Sequence, residues 1–151
     1  RCYVRDVPLH GLLGVLSLEL CGIGDTFAVW DVVPPHDRSP FFLSVARALE
    51  GLGFRRDETY HAVGRIPVFG SDHRAFSPLG IPAFGLTVVP ASEGDALRRF
   101  VLSPWRSALH QILRRPRPFD TYHTAADTSD TLDPSALYRT HEALFAIIGL
   151  Y

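Results

Sequence analysis

Two segments of the sequence carry side chains that suit metal or acid–base chemistry. Glu19 stands near the end of the apolar run LSLELCG, where a carboxylate removed from water is costly unless it is paired or binds a cation. Further along, TYHTAADT places His123 directly after Tyr122, with Asp127 four residues later. A loop histidine surrounded by hydroxyl and carboxylate groups has the composition of a metal ligand with hydrogen-bonding support.

A third segment, GSDHRAF, places Asp72 beside His73. The same residues could form a turn in which Ser71 and Asp72 cap a short helix. A catalytic triad made of Ser71, Asp72 and His73 is not expected, because adjacent side chains diverge, and the chain has no G-x-S-x-G motif. Structural interpretations also stay open for Glu19, which could face water or an arginine on an edge strand, and for His123, since a lone histidine is usually structural.

A fourth acidic and histidine-containing segment, RRDETYH, is interpreted differently. Glu58 and His61 stand at i, i+3, which is a metal-binding spacing only on paired helices of a bundle. Because the segment follows a glycine and two arginines, we expect a solvated turn here.

The composition limits the kind of protein. The chain has 151 residues, 46% of them hydrophobic, which is enough for one domain with a core. A net charge of −1 gives no electrostatic case for binding nucleic acid or an anionic membrane. All basic residues are arginine, which excludes lysine chemistry. The longest uncharged run, 75–92, contains three prolines, so no membrane span is predicted.

Two further features concern processing and redox state. The chain contains no methionine and begins at Arg1, so we expect a processed chain or a piece of a longer protein. Cys2 and Cys21 are too few for a disulfide framework. They could pair with each other or stay as two buried free thiols.

The candidate residues must be positioned by alternating strands and helices. Helix 39–54 is predicted to begin with Ser39 as cap and Pro40 as first residue, and the last helix is capped by Asp133. Strands are predicted at 12–21, 26–33 and 81–90, and helices near 93–102 and 103–113. The last helix is predicted to run from Pro134 towards Leu150. Its apolar residues on one side are Leu137, Leu144, Ile148 and Tyr151. This order predicts a layered α/β domain with a mostly buried sheet, and long polar loops at 55–80 and 114–132 would carry the site.

Taken together, three motifs resemble a known enzyme family. In order, LSLELCGIG, GSDHRAFSPLGIPAFGL and FDTYHTAADTSDTLD are similar to the second half of the co-catalytic di-zinc aminopeptidases, which include secreted bacterial leucine aminopeptidases and the glutaminyl cyclases. The resemblance runs from Leu12 to the end of the chain. It implies an α/β/α fold with a mostly parallel mixed central sheet, incomplete here, so that residues 1–151 form the C-terminal portion of a single zinc-peptidase domain.

The resemblance also implies roles for individual residues. Glu19 falls on an acidic zinc ligand that is more often aspartate, and His123 falls on the histidine that binds the other zinc ion. Tyr122 matches a tyrosine that hydrogen-bonds the developing oxyanion in some members. Asp72 matches a carboxylate that supports the ligands. The supporting residues implied in this way are Asp72, His73 and Asp127.

The implied reaction is removal of N-terminal residues from a peptide or small amino-acyl substrate by water activated on two zinc ions. The family's H-x-D pair and adjacent acidic residues are missing before Glu19, so the chain offers two of about five ligands. We therefore expect that it is inactive alone and that a missing N-terminal half is its partner. Three alternatives stay open: a glutaminyl-peptide cyclotransferase, a catalytically dead binding domain, and an unrelated α/β domain. Substrate preference, oligomeric state and compartment are also open, secretion or the cell envelope included.

Overall fold

The structure is a computed structural model, which describes residues 8–65, 70–93, 117 and 119–150. Within them lies a four-stranded sheet in the order β1-β4-β2-β3. The β1–β4 and β2–β3 pairs are parallel, and the β2–β4 pair is antiparallel. The strands are β1 (Val15–Leu18), β2 (Thr26–Trp30), β3 (Tyr60–Ala62) and β4 (Ala83–Val89). The predicted α/β class with a mostly parallel sheet is therefore confirmed.

Helix α1 (Pro40–Gly51) begins as the sequence predicts. The Ser39 hydroxyl accepts a hydrogen bond from the backbone N–H of Phe42 at 3.2 Å, and Pro40 occupies the first helical position, where no N–H is needed. The side chains predicted to face inward are all buried: Phe42, Val45, Ala46 and Leu49.

The sheet has two different faces because side chains alternate along each strand. Face A carries Phe27 and Val29 of β2 and Phe84 and Leu86 of β4, and it packs against both α1 and the C-terminal helix. Face B carries the alternate residues of the same strands. Its buried cluster consists of Ala28, Trp30, Val63, Val89 and Phe119, with Leu20 packed against it.

Strand β1 differs from the prediction of a buried strand over 12–21. It spans only Val15–Leu18 and is half-buried, and Leu13 and Leu18 are 59% and 47% exposed. Among the described strands β1 pairs only with β4, so one of its edges has no neighbouring strand to bury it. The prediction of burial was wrong because a run of leucines fits an edge strand as well as a central one.

Helix α2 (Pro134–Ile148) has the predicted N-terminus, since Asp133 Oδ1 accepts a hydrogen bond from the backbone N–H of Ser135 at 2.8 Å. Its buried residues are Ala136, Thr140, Ala143 and Ile147. Of the larger apolar residues that share one side of the helix, Leu137 and Ile148 are 46% and 70% exposed. Ala136, Ala143 and Ile147 of this buried face belong to the same core cluster as the buried residues of α1. Tyr151 lies outside the described residues.

The segment 55–80, predicted as a loop, contains β3 and two short 3₁₀ helices, Asp72–Ala75 and Ser77–Leu79. The helices predicted near 93–102 and 103–113 lie outside the described residues, except that 91–93 are helical. Cys2 is also outside them, and Cys21 is a free thiol. None of the helices in the described part is long and apolar enough to cross a bilayer.

Candidate functional site

Glu19 lies on face B immediately after β1. Its backbone N–H donates to the carbonyl of Leu86 at 2.9 Å, which continues the pairing of β1 with β4. Its carboxylate accepts hydrogen bonds from the hydroxyls of Ser17 at 3.0 Å and Ser71 at 2.6 Å, and both go to Oε1. Two hydroxyls therefore fix the orientation of the carboxylate through one oxygen, and Oε2 accepts no hydrogen bond from the described residues.

Ser71 connects Glu19 to a buried histidine. The Ser71 hydroxyl lies 2.7 Å from Nδ1 of His73, and Nε2 of His73 lies 3.0 Å from Oδ2 of Asp31. His73 is completely buried and Asp31 is 9% exposed. A hydrogen-bonded chain thus runs from the end of β1, through the 3₁₀ helix Asp72–Ala75, to the end of β2.

Asp31 is held by two partners, Arg74 and His73. Arg74 Nη2 donates to Oδ1 at 2.9 Å, and His73 Nε2 donates to Oδ2. Burial raises the pKa of Asp31, but the hydrogen bonds and positive charges of His73 and Arg74 outweigh it and lower the pKa to about 2. Trp30 covers the pair, with its ring edge-on to His73 and under the Arg74 guanidinium. Asp31 is therefore ionised at neutral pH and ties the 71–75 segment to the sheet.

The proton count explains what Ser71 does. Its hydroxyl has one proton, which it donates to the Glu19 carboxylate. The Ser71 oxygen also lies 2.7 Å from Nδ1 of His73, so the same hydroxyl contacts both side chains. A serine that donates to a carboxylate is not activated as a nucleophile. Ser71 and His73 do converge, contrary to the expected divergence, but they act as a brace for Glu19.

His123 and Tyr122 lie on the loop before α2. His123 is exposed, has a left-handed backbone with φ of +58°, and stacks on the half-buried Tyr122 with ring centroids 3.9 Å apart. Four residues earlier, Phe119 is buried in the face B cluster against which Leu20 packs. The residue after Glu19 and the start of the His123 loop thus belong to one cluster.

The other predicted residues fall in different environments. His73 reaches Glu19 through Ser71, whereas Asp72 and Asp127 are exposed. Across residues 8–65, 70–93, 117 and 119–150, no three histidine, cysteine, aspartate or glutamate residues gather closely enough to hold a metal ion.

Sequence reasoning missed Asp31 and judged His61 wrongly. Asp31 directly follows a buried strand, as Glu19 follows β1, and a carboxylate in that position was the available signal. In RRDETYH, Glu58 is exposed as a solvated turn predicts, but His61 lies in β3 and is only 6% exposed. Glu58 and His61 do not share a helix, and the alternating burial of a three-residue strand was too short to detect.

The described residues form a mixed α/β sheet with a hydrogen-bonded carboxylate at the end of one strand. The model of Peptidase family M28 matches residues 3–148 of this chain. The chain therefore belongs to this family, which comprises co-catalytic zinc aminopeptidases and glutaminyl cyclases, and the resemblance noted in the sequence is confirmed. No curated protein and no solved structure matches the chain.

Proposed function

We propose that this chain carries part of the zinc site of an aminopeptidase, with Glu19 and His123 as ligands of the two metal ions. The observation that carries the proposal is the packing of Leu20 and Phe119 in one cluster on face B. Leu20 adjoins Glu19, and four residues of chain, which span at most about 14 Å, separate Phe119 from His123. Family membership supports the same assignment.

The donor set fits zinc. A carboxylate and an imidazole are both zinc ligands. Glu19 already uses Oε1 for two hydroxyl donors, which orient Oε2 for a cation in the way that hydrogen-bonded partners orient metal ligands in general. When bound, the zinc ions would supply an acidic water and polarise the substrate carbonyl.

The chain's own residues have supporting tasks in this proposal. Ser17 and Ser71 hold the Glu19 carboxylate in place, and His73 holds Ser71 because Asp31 anchors the imidazole. Tyr122 stacks beside His123 and would donate its phenolic hydrogen bond to the oxygen that becomes negatively charged during the reaction. The remaining ligands and the general base would come from polypeptide outside these 151 residues, since two matched ligands are fewer than two zinc ions require.

The test uses the complete protein that contains this chain, loaded with zinc. We expect hydrolysis of peptides with a free N-terminus and none of the same peptides after N-acetylation. His123→Ala should lose bound zinc and activity, and Tyr122→Phe should lower kcat about 10²-fold with little change in KM. His141→Ala, which removes an exposed histidine on α2, is the matched control and should keep both.

Other outcomes would favour the alternatives. Equal cleavage of acetylated peptides would contradict an aminopeptidase. Release of ammonia from N-terminal glutamine without peptide hydrolysis would indicate a cyclotransferase. A zinc content that is unchanged in His123→Ala would remove His123 from the ligand set, and a complete protein that binds no zinc would be a binding domain.

A further inference from the structure

Both hydrogen bonds to the Glu19 side chain end on the same carboxylate oxygen. The Ser17 hydroxyl donates to Oε1 at 3.0 Å, and the Ser71 hydroxyl donates to Oε1 at 2.6 Å. A carboxylate oxygen has two lone pairs, so two donors use its whole accepting capacity. While both serines are in place, Oε1 has no lone pair left for a cation, and only Oε2 can bind one.

The two hydroxyls are held in place by the fold itself. Ser17 stands two residues before Glu19, and because side chains alternate along a strand, both lie on face B. Ser71 also contacts Nδ1 of His73 at 2.7 Å. His73 is completely buried and is hydrogen-bonded to Asp31, so the segment that carries Ser71 is fixed to the end of β2. Two separate parts of the chain thus direct their hydroxyls to one oxygen.

The number of oxygens that a carboxylate offers affects which cation it prefers. Zinc is usually tetrahedral, so one oxygen from a carboxylate is sufficient for it. Mn²⁺ favours octahedral sites made of oxygen ligands, and a carboxylate that binds through both oxygens supplies an additional ligand. A glutamate without the two serines could turn either oxygen, or both, towards a cation. The serines therefore limit Glu19 to the binding mode that suits zinc.

We propose that Ser17 and Ser71 make Glu19 a one-oxygen ligand and thereby favour zinc over cations that take octahedral oxygen sites. The inference rests on the proposed function, because it requires Glu19 to bind a metal ion. It goes further by assigning metal selectivity to two serines that do not bind the metal themselves.

The test measures the affinity of the complete, metal-free protein for Zn²⁺ and for Mn²⁺ by competition with a chelator. Glu19→Gln identifies the binding constant that belongs to Glu19. In the Ser17→Ala, Ser71→Ala double variant, the zinc affinity of that site should fall about 10–100-fold, because the carboxylate loses its orienting partners. The manganese affinity should stay the same or rise, because the freed Oε1 supplies a second oxygen. The preference for zinc should therefore fall by at least the same factor as the zinc affinity.

Two further variants serve as a second test and as the control. Ser17→Ala alone frees one lone pair of Oε1 and should lower the preference for zinc by a smaller factor, which tests the inference even if the double variant does not fold. Ser135→Ala is the matched control, because the Ser135 hydroxyl also donates to a carboxylate, Oδ2 of Asp133 at 2.9 Å, but at the start of α2. Its preference for zinc should equal that of the wild type.

The outcomes separate this inference from the proposed function. If Glu19→Gln binds zinc as the wild type does, Glu19 is not a ligand, and both the ligand assignment and the inference are wrong. If Glu19→Gln loses zinc but the serine variants keep the wild-type ratio of the two affinities, Glu19 is a ligand and the inference alone is wrong. Serines that only stabilised the fold would give this second result, because they would change both affinities by the same factor.

Discussion

Acid should weaken the fold through Asp31 in a way that a single substitution can isolate. The pKa of Asp31 is lowered to about 2 in the folded protein, against about 3.9 in an unfolded chain. Because the folded pKa is the lower one, Asp31 stabilises the fold above pH 4, and this contribution is lost as the pH falls towards 2. The full difference of roughly 2 pKa units corresponds to about 2.5 kcal/mol, and about half of it should be lost by pH 3.

The assay is urea unfolding of the wild type and of Asp31→Asn at several pH values between 6 and 3. At neutral pH the variant should be less stable by about 3 kcal/mol, because His73 and Arg74 lose a buried partner. This difference should shrink by about 1 kcal/mol on going to pH 3, since only the wild type loses the Asp31 contribution.

The control for this experiment is Glu58→Gln, whose carboxylate is exposed and 3.7 Å from the exposed Arg55 guanidinium. Its stability difference from the wild type should stay below about 0.5 kcal/mol at every pH. A difference between the wild type and Asp31→Asn that does not change with pH would refute the assigned pKa and with it the role of Asp31 as an ionised anchor.

Three other predictions concern packing, thiol reactivity and backbone conformation. Gly85→Ala should lower the free energy of unfolding, measured in urea, by about 2 kcal/mol, because the added Cβ would lie 2.2 Å from the buried Trp30 ring. At Gly51 an added Cβ meets nothing within 4 Å, so Gly51→Ala should be neutral or slightly stabilising. Burial raises the pKa of Cys21 to about 11. In the Cys2→Ser variant, iodoacetamide at pH 8 should therefore alkylate Cys21 about 10²-fold more slowly than an exposed cysteine. An equal rate would show that the thiol is not buried. The free energy of unfolding of His123→Gly, measured in urea, should be about 1 kcal/mol higher than that of His123→Ala, because position 123 has φ of +58°. Equal free energies would mean that the left-handed backbone is not strained.

The parts of the fold that the sequence predicts are those with local causes. Ser39 and Asp133 cap α1 and α2 because serine and aspartate before a proline at the first helical position satisfy the helix start through local groups. Strand β4 follows from an apolar run bounded by prolines at both ends. Each of these signals is contained within a few residues, so no knowledge of the rest of the fold is needed.

The parts that the sequence does not predict depend on contacts between distant elements. The buried face of α2 includes the small residues Ala136 and Ala143, which lie in the core cluster with residues of α1, and the positions of the larger apolar residues in the helix do not indicate this face. Asp31 is separated by 42 residues from His73, and its importance appears only when β2 and the 71–75 segment meet. The proposal that Glu19 and His123 bind zinc rests on family resemblance, because motifs carry long-range information that periodicity does not.

Left-handed backbone conformations occur at or beside three of the residues discussed for the proposed site. Four described residues other than glycine have a left-handed backbone. Asp57 lies in an exposed turn, where aspartate tolerates this conformation. The other three are Leu20, which follows Glu19, Asp31, which anchors His73, and His123.

A leucine in this conformation costs about 1–2 kcal/mol, and such strain persists only where the surrounding structure enforces it. A flexible loop far from any site would relax to a negative φ or accumulate glycine, as Gly53 does in the turn after α1. The leucine side chain itself does not favour a left-handed backbone. In this conformation, however, the chain turns immediately after Glu19 while the Leu20 side chain stays against the face B cluster. The left-handed backbone of Leu20 thus sets the direction of the chain immediately after Glu19, and the proposal that Glu19 binds zinc requires its carboxylate to be held in a fixed position at this point.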